Sequence, residues 1–98
     1  MEQSQAMTVE QLIARIKDKD DRVRGEAWQN AGPVGAAAIQ PLAKVAADPS
    51  SELEVGRSAN RAMWKIVRHA GRPGAEAEKK PVVSALLELL GENWPVAL

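Results

Sequence analysis

Apolar side chains recur every three or four residues along most of the chain, a spacing that is typical of amphipathic α-helices. Glycine, proline and aspartate interrupt this pattern and divide it into segments. The pattern predicts five helices, over residues 8–18, 21–31, 35–48, 51–69 and 75–90. Because short turns separate them, we expect the helices to lie side by side in pairs.

Capping residues support the predicted helix starts. Two residue pairs have the spacing of a capping box: Thr8 with Gln11, and Ser51 with Glu54. Asp20 or Asp21 suits the N-cap of the second helix, where a carboxylate meets the positive end of the helix dipole. Pro41 falls inside the third predicted helix, as Pro81 does in the fifth. Since proline removes a backbone donor, the third helix either kinks at Pro41 or begins properly about one turn before it.

A short sequence occurs twice in the chain. Residues 31–38 read AGPVGAAA, residues 70–77 read AGRPGAEA, and a proline follows each copy, at Pro41 and Pro81. Self-similarity with a period of roughly 40 residues is typical of helical repeat proteins. We therefore expect each helix pair to bury its apolar stripe against the next pair, because one pair alone is too small to form a core.

Composition narrows the class of protein. A chain of 98 residues allows one small domain, and frequent alanine favours helix. The formal net charge of zero removes the general argument for a nucleic-acid or membrane-surface protein. The N-terminus has neither a basic region nor an apolar run, and no segment approaches the ~20 apolar residues that span a bilayer. We therefore expect a soluble cytoplasmic protein with no membrane partner.

The chain is expected to have three parts. Residues 1–7 form a disordered lead-in, residues 8–92 form the helical repeat domain, and residues 93–98 are either the start of a further helix or a packing tail. The predicted helices make about two and a half pairs, close to the minimum for a repeat array. We therefore expect either a piece of a longer array or a homodimer that covers the exposed array ends.

The order of helices and turn residues resembles HEAT repeats, in particular the short HEAT-like repeats of phycobilisome lyases. The first unit carries an Asp turn, a Val-Arg pair, small residues, two spaced glycines and Pro-Leu: Asp21, Val23, Arg24, Ala27, Ala31, Gly32, Gly35, Ala36, Ile39, Pro41 and Leu42. The second unit follows the pattern more loosely, with Asp48, Val55 and Arg57 near the expected places and an insertion between the first two.

This resemblance implies an all-α fold, a right-handed α-solenoid of about two and a half HEAT-like helix pairs. It also implies that the second helix of each pair lines a concave surface. A further implication is that Arg24 bonds the aspartate of a neighbouring turn, here Asp20 or Asp21, which is a structural role.

The fourth predicted helix carries a stripe of cations, three or four residues apart and with no acidic residue among them: Arg57, Arg61, Lys65, Arg68 and Arg72. Trp64 falls at the border of this stripe, and an aromatic side chain flanked by arginines is typical of a binding hot spot. The HEAT resemblance would place the stripe in the groove. The alternative interpretation is a solvated helix face, with Trp64 packed on the next repeat.

Two residues of the second helix extend this candidate site. Arg24 and Trp28 are four residues apart, so their side chains can touch. Trp28 is either a groove residue or a core residue at the edge of the apolar stripe. The predicted partner-binding residues are Arg57, Arg61, Trp64, Lys65, Arg68, Arg24 and Trp28.

The sequence favours a protein–protein interaction or scaffold module whose partner is another protein with an acidic surface. The alternative is binding of a nucleic-acid backbone through the basic stripe on residues 57–72. Catalysis has no candidate residues, since His69 is the only histidine and cysteine is absent. The adjacent carboxylates of Asp20 and Asp21 are explained by turn and capping roles. We predict a protein that is not an enzyme and uses no metal or cofactor.

Overall fold

The computed structural model describes residues 7–91, and every regular element in this range is helical. The α-helices are α1 (Val9–Ile16), α2 (Asp21–Gln29), α3 (Ile39–Ala47), α4 (Leu53–Ala70) and α5 (Glu76–Gly91). Two short 3₁₀ turns, Gly32–Val34 and Ala36–Ala38, connect α2 to α3. The predicted all-α class is confirmed. Residues 1–6 of the expected lead-in, and the expected further helix or tail over 93–98, lie outside the described residues.

Local side-chain bonds set two of the helix starts. The backbone N–H of Gln11 donates to the Thr8 hydroxyl at 3.0 Å, and the Thr8 N–H donates to the Gln11 side chain at 3.1 Å. This capping box is confirmed. Asp20 caps α2, because its carboxylate accepts from the backbone N–H of Arg22 at 2.8 Å.

The second predicted capping box is wrong. Helix α4 begins at Leu53, and its N-cap Glu52 makes no side-chain capping bond. The Ser51 hydroxyl instead donates to the carbonyl of Val45 at 2.9 Å. Carbonyls in the last turn of a helix lack an intrahelical partner, so this bond satisfies the end of α3 rather than the start of α4.

The two prolines occupy different positions in their helices. Pro41 is the third residue of α3, where a missing N–H costs no intrahelical bond. Of the two alternatives for this helix, a start shortly before the proline is therefore right. Pro81 lies further inside α5, where it removes one backbone donor from the helical ladder.

Helix α4 is the centre of the fold, packing against α2, α3, α5 and the first 3₁₀ turn. The largest fully buried side chains come from α1, α3 and α4: Leu12, Ile16, Ile39, Leu42 and Ile66. Met7 is half-buried and packs against this core, so one residue of the expected lead-in belongs to the helical domain. The radius of gyration of 13.2 Å is that of a compact domain, for which about 13 Å is expected at 100 residues.

The two copies of the repeated sequence share one backbone feature. Gly35 and Gly74, which occupy the same place in each copy, have positive φ angles of 89° and 83°. The preceding glycines differ, because Gly32 is buried while Gly71 is exposed. The copies therefore have a similar turn but different packing. Within the part of the chain that the structure describes, no helix has both the length and the apolar character required to cross a bilayer.

Candidate partner-binding surface

The predicted basic stripe lies on the side of α4 that faces away from the core. The buried side of the helix consists of small and apolar residues: Val55, Ser58, Ala59, Ala62, Ile66 and Ala70. Arg57, Arg61 and Arg68 are exposed, and Lys65 is half-buried on the side nearest α2. An 18-residue helix with one apolar and one charged face is stabilised mainly by burial of the apolar face. The stripe therefore lies on a helix whose opposite face is held in the core.

Trp64 is one of the most exposed large side chains of the described chain, with 66% of its surface accessible. Among the described residues, Trp64 is therefore not buried by its neighbours, and packing on a further repeat stays the alternative interpretation. Arg61 and Arg68 lie three residues before and four residues after it, so both side chains can reach the indole along the helix surface. Trp64 is thus an exposed aromatic residue with an arginine about one helical turn before it and another about one turn after it.

Trp28 connects α2 to this surface. Its ring packs in part against the core, and the guanidinium carbon of Arg61 lies 5.5 Å from the ring centroid. The ammonium nitrogen of Lys65 lies 5.7 Å from the same centroid. Both distances are within the range of a cation–π interaction. Trp28 is thus a half-buried residue that holds two cations of α4 in place.

Ion pairing divides the stripe into two groups. At one end of the stripe, Arg57 pairs with Glu54 at 3.2 Å, and at the other end Arg72 pairs with Glu78 at 2.7 Å. Among residues 7–89, the central cations form no ion pair: Arg61, Lys65 and Arg68. We refer to Arg61, Trp64, Lys65 and Arg68 as the basic surface. Its cations are available to an acidic group from outside, whereas Arg57 is already partly neutralised.

Arg24 does not join the basic surface, contrary to the assignment made from the sequence. Only 6% of the residue is accessible, because its guanidinium lies inside the turn between α1 and α2. It donates to the carbonyls of Asp18 and Lys19 at 2.7 and 2.9 Å, and it pairs with the carboxylate of Asp21. The bond to Asp21 is the structural role that the HEAT resemblance implies for this residue.

A pocket that the sequence analysis did not identify lies beside Trp28. It has a volume of about 270 Å³ and is lined by the end of α2, the first 3₁₀ turn and the last turns of α4: Gln29, Gly32, Pro33, Lys65, Arg68 and His69. The close approach of the turn to α4 depends on Gly32, since a β-carbon there would lie 2.9 Å from the His69 Cβ. The repeated glycine was the one sequence signal for this approach.

One acidic residue of α5, Glu78, lies next to His69 but does not line the pocket. Glu78 accepts two hydrogen bonds from Arg72, at 3.2 and 2.7 Å, and its carboxylate lies 3.6 Å from His69 Nε2. The bonds from Arg72 hold the pKa of Glu78 below its ordinary value. Glu78 is therefore an anion that Arg72 already compensates, which leaves Lys65 and Arg68 without a carboxylate partner among the described residues.

A second exposed patch is apolar. Val83 and Leu87, one turn apart on α5, are 52% and 60% accessible. They lie on the last described helix, where the sequence analysis expects a homodimer to cover an array end. That expectation stays a prediction.

No known protein family, curated protein or solved structure matches this chain. In the described part of the chain, histidine, aspartate and glutamate form no group of three that could hold a metal ion. The interpretation of the surface therefore depends on its own geometry and charge.

Proposed function

We propose that the protein is a HEAT-like interaction module that binds an acidic surface of a protein partner through the basic surface of α4. The observation that supports this proposal best is Trp64, which is 66% accessible and lies about one helical turn from each of two arginines, Arg61 and Arg68, that have no ion-pair partner among the described residues. Exposed aromatic and arginine side chains are the residues that contribute most to binding energy at protein interfaces. Cations around such an anchor attract an acidic partner and orient it.

Helix packing supports the HEAT-like part of the proposal. Helix α1 packs against α2, and α3 packs against α4. The second helices of these two pairs, α2 and α4, also contact each other, as do the first helices α3 and α5. Stacking of like elements is the contact pattern of helical repeats. The shared positive φ angles of Gly35 and Gly74 agree with a repeated turn between units.

The basic surface can be tested by affinity capture followed by reconstitution. Wild-type protein is immobilised, partners are identified from a native lysate, and each is purified and bound again. Arg61→Glu and Trp64→Ala are expected to weaken the reconstituted complex by at least about tenfold, or about 1.4 kcal/mol. Arg15→Glu is the matched control, since Arg15 is an exposed cation on α1. Equal weakening by the control, or none by Arg61→Glu, would refute the proposal.

Binding of a nucleic-acid backbone through residues 57–72 is the alternative, and the observation in its favour is that three cations have no ion-pair partner in the described part of the chain. The neutral net charge argues against it. Fluorescence anisotropy with labelled DNA and RNA at low salt separates the two proposals. The affinity of a nucleic-acid binder should fall steeply as the salt concentration rises. For duplex DNA, the logarithm of the association constant plotted against the logarithm of the salt concentration has a slope of about −0.9 per phosphate contacted. Absence of binding at low salt would eliminate the alternative.

A further inference from the structure

The pocket beside Trp28 gathers hydrogen-bond donors from two helices. Gln29 lies at the end of α2, and the other donors are Lys65, Arg68 and His69 on α4. Its remaining lining residues, Gly32 and Pro33, present no charge. No carboxylate lines the pocket, although the chain as a whole has as many acidic as basic residues. The pocket is therefore a local concentration of donors in a neutral protein.

The surrounding groups keep these donors available. Trp28 holds Lys65 on one side, with its ring centroid 5.7 Å from the ammonium nitrogen. On the other side Glu78 approaches His69 at 3.6 Å, but Arg72 already donates two hydrogen bonds to that carboxylate. Neither Lys65 nor Arg68 has an ion-pair partner within residues 7–89. Two basic residues without a carboxylate partner in this range thus line an open pocket whose lining residues include no acid.

The size and charge of the pocket suit a compact anion with several acceptor oxygens. The pocket is open to solvent, and its volume of about 270 Å³ is far above the ~10–15 Å³ that is needed to hold one water molecule, so an anion of several atoms has room. A phosphoryl group has a charge of about −1.5 to −2 near pH 7 and three strong acceptor oxygens. The side chains of Gln29, Lys65 and Arg68 together carry more N–H donors than a carboxylate with two oxygens would use, so a phosphoryl group matches them better.

We propose that this pocket binds the phosphoryl group of a phosphorylated side chain on the protein partner. The inference depends on the proposed function, because it identifies the acidic group that the partner places next to the basic surface. The carboxyl ends of α2 and α4 both lie nearby, and helix C-termini carry partial negative charge. The attraction must therefore come from the side chains, so the loss of one cation should weaken binding strongly.

The test is an NMR titration of the intact protein with inorganic phosphate, and then with a short serine peptide in phosphorylated and glutamate-substituted forms. Saturable shifts are expected at the backbone amides of Gln29, Gly32 and His69. Arg68→Gln and Lys65→Gln should each weaken phosphate binding by about tenfold or more, the effect of losing a charge-assisted hydrogen bond. Arg57→Gln removes the same charge from the same helix outside the pocket, so it should leave the affinity within about twofold.

Several results would overturn the inference. Shifts that do not saturate, or that weaken equally in Arg57→Gln, would mean an adventitious ion only. Equal affinity for the phosphorylated and glutamate peptides would refute phosphoryl recognition. A duplex oligonucleotide that binds the pocket more tightly than the phosphopeptide, with a steeper salt dependence, would assign the site to nucleic acid instead.

The two proposals can fail separately. If a partner is captured through Trp64 but phosphate does not bind, the phosphoryl inference is wrong and the interaction module stands. If phosphate binds at Lys65 and Arg68 but Trp64→Ala and Arg61→Glu leave the affinity of the captured complex unchanged, the partner does not bind through the basic surface and the proposed function is wrong. Thermal melts of Lys65→Gln and Arg68→Gln, compared with that of the wild type, distinguish loss of binding from loss of fold.

Discussion

The backbone of Gly32 lies directly against the side chain of His69, so that a β-carbon on residue 32 would stand 2.9 Å from the His69 Cβ and 3.0 Å from its Cγ. Non-bonded carbons do not approach this closely, and proteins are packed too densely for the neighbours to move freely. Glycine at this position therefore sets the distance between the turn after α2 and the last turn of α4. Gly32 and His69 also line the pocket beside Trp28, so their close contact forms one of its walls.

Replacement of Gly32 by alanine is expected to destabilise the fold by about 1–3 kcal/mol, the usual effect of overpacking. The measurement is urea unfolding followed by circular dichroism. Gly71→Ala is the matched control from the second copy of the repeat, because its added carbon would meet the Arg68 carbonyl at an ordinary 3.5 Å. The control should change stability by less than about 0.5 kcal/mol. Similar losses of stability in both variants would contradict the conclusion that Gly32 is needed for the close contact between the turn after α2 and helix α4.

Gly35 is required for its backbone conformation rather than for space. Its φ of 89° and ψ of −171° fall in a region that is essentially restricted to glycine. Gly35→Ala should therefore destabilise the protein by about 1–3 kcal/mol. Gly56→Ala, inside helix α4 with no close contact, should instead stabilise it by about 0.5–1 kcal/mol. Chemical unfolding of both variants tests the contrast, and a neutral Gly35→Ala would show that the turn tolerates another conformation.

Arg24 is expected to be a stability residue. Removal of its guanidinium leaves the carbonyls of Asp18 and Lys19 without their donor, and a hydrogen bond to a charged group contributes about 1.5–3 kcal/mol. Arg24→Ala should therefore lower the free energy of unfolding by at least that amount. Its affinity for the partner should be unchanged when it is calculated from the concentration of folded protein. Arg22→Ala, an exposed neighbour on α2, should remain within about 0.5 kcal/mol of wild type.

Trp28 and Trp64 should respond differently to truncation. Trp64→Ala removes an exposed ring, so thermal stability should change by no more than about 0.5 kcal/mol, while partner binding is lost. Trp28→Ala removes a half-buried ring that packs on the core and on two cations, and a loss of about 2–4 kcal/mol is expected. Thermal melts by circular dichroism decide this. A large loss of stability in Trp64→Ala would mean that its ring is packed in solution.

Acid should weaken the fold through Asp48 and Glu78. Hydrogen bonds from Ser50 lower the pKa of Asp48, and the bonds from Arg72 lower the pKa of Glu78. Their stabilising effect is present above the ordinary values of 3.8 and 4.5, and it is lost as the pH falls through the lower values of the folded protein. Urea midpoints measured down to acid pH should therefore fall less steeply in Glu78→Gln than in wild type. Glu10→Gln is the control, and an identical reduction in its slope would contradict the assignment.

The sequence determined the local structure of this protein. Thr8 with Gln11, and Asp20 at the start of α2, define helix starts through bonds within one turn, so spacing alone predicts them. The three- and four-residue period of the apolar positions likewise separated the buried side of α4 from its basic side. These features depend on neighbours in the chain, and for that reason they could be predicted without coordinates.

Only the tertiary structure decided which candidate residues form a site. The Ser51 hydroxyl donates to a carbonyl at the end of α3 instead of capping α4. The Arg24 side chain is buried in the turn between α1 and α2 instead of joining the basic surface. Residues more than thirty positions apart in the chain meet in two places. One is the contact of Trp28 with Arg61 and Lys65, and the other is the pocket beside Trp28. A periodic pattern shows which side of a helix is buried, but the partner across that face depends on how the helices pack. That packing is a property of the whole folded chain.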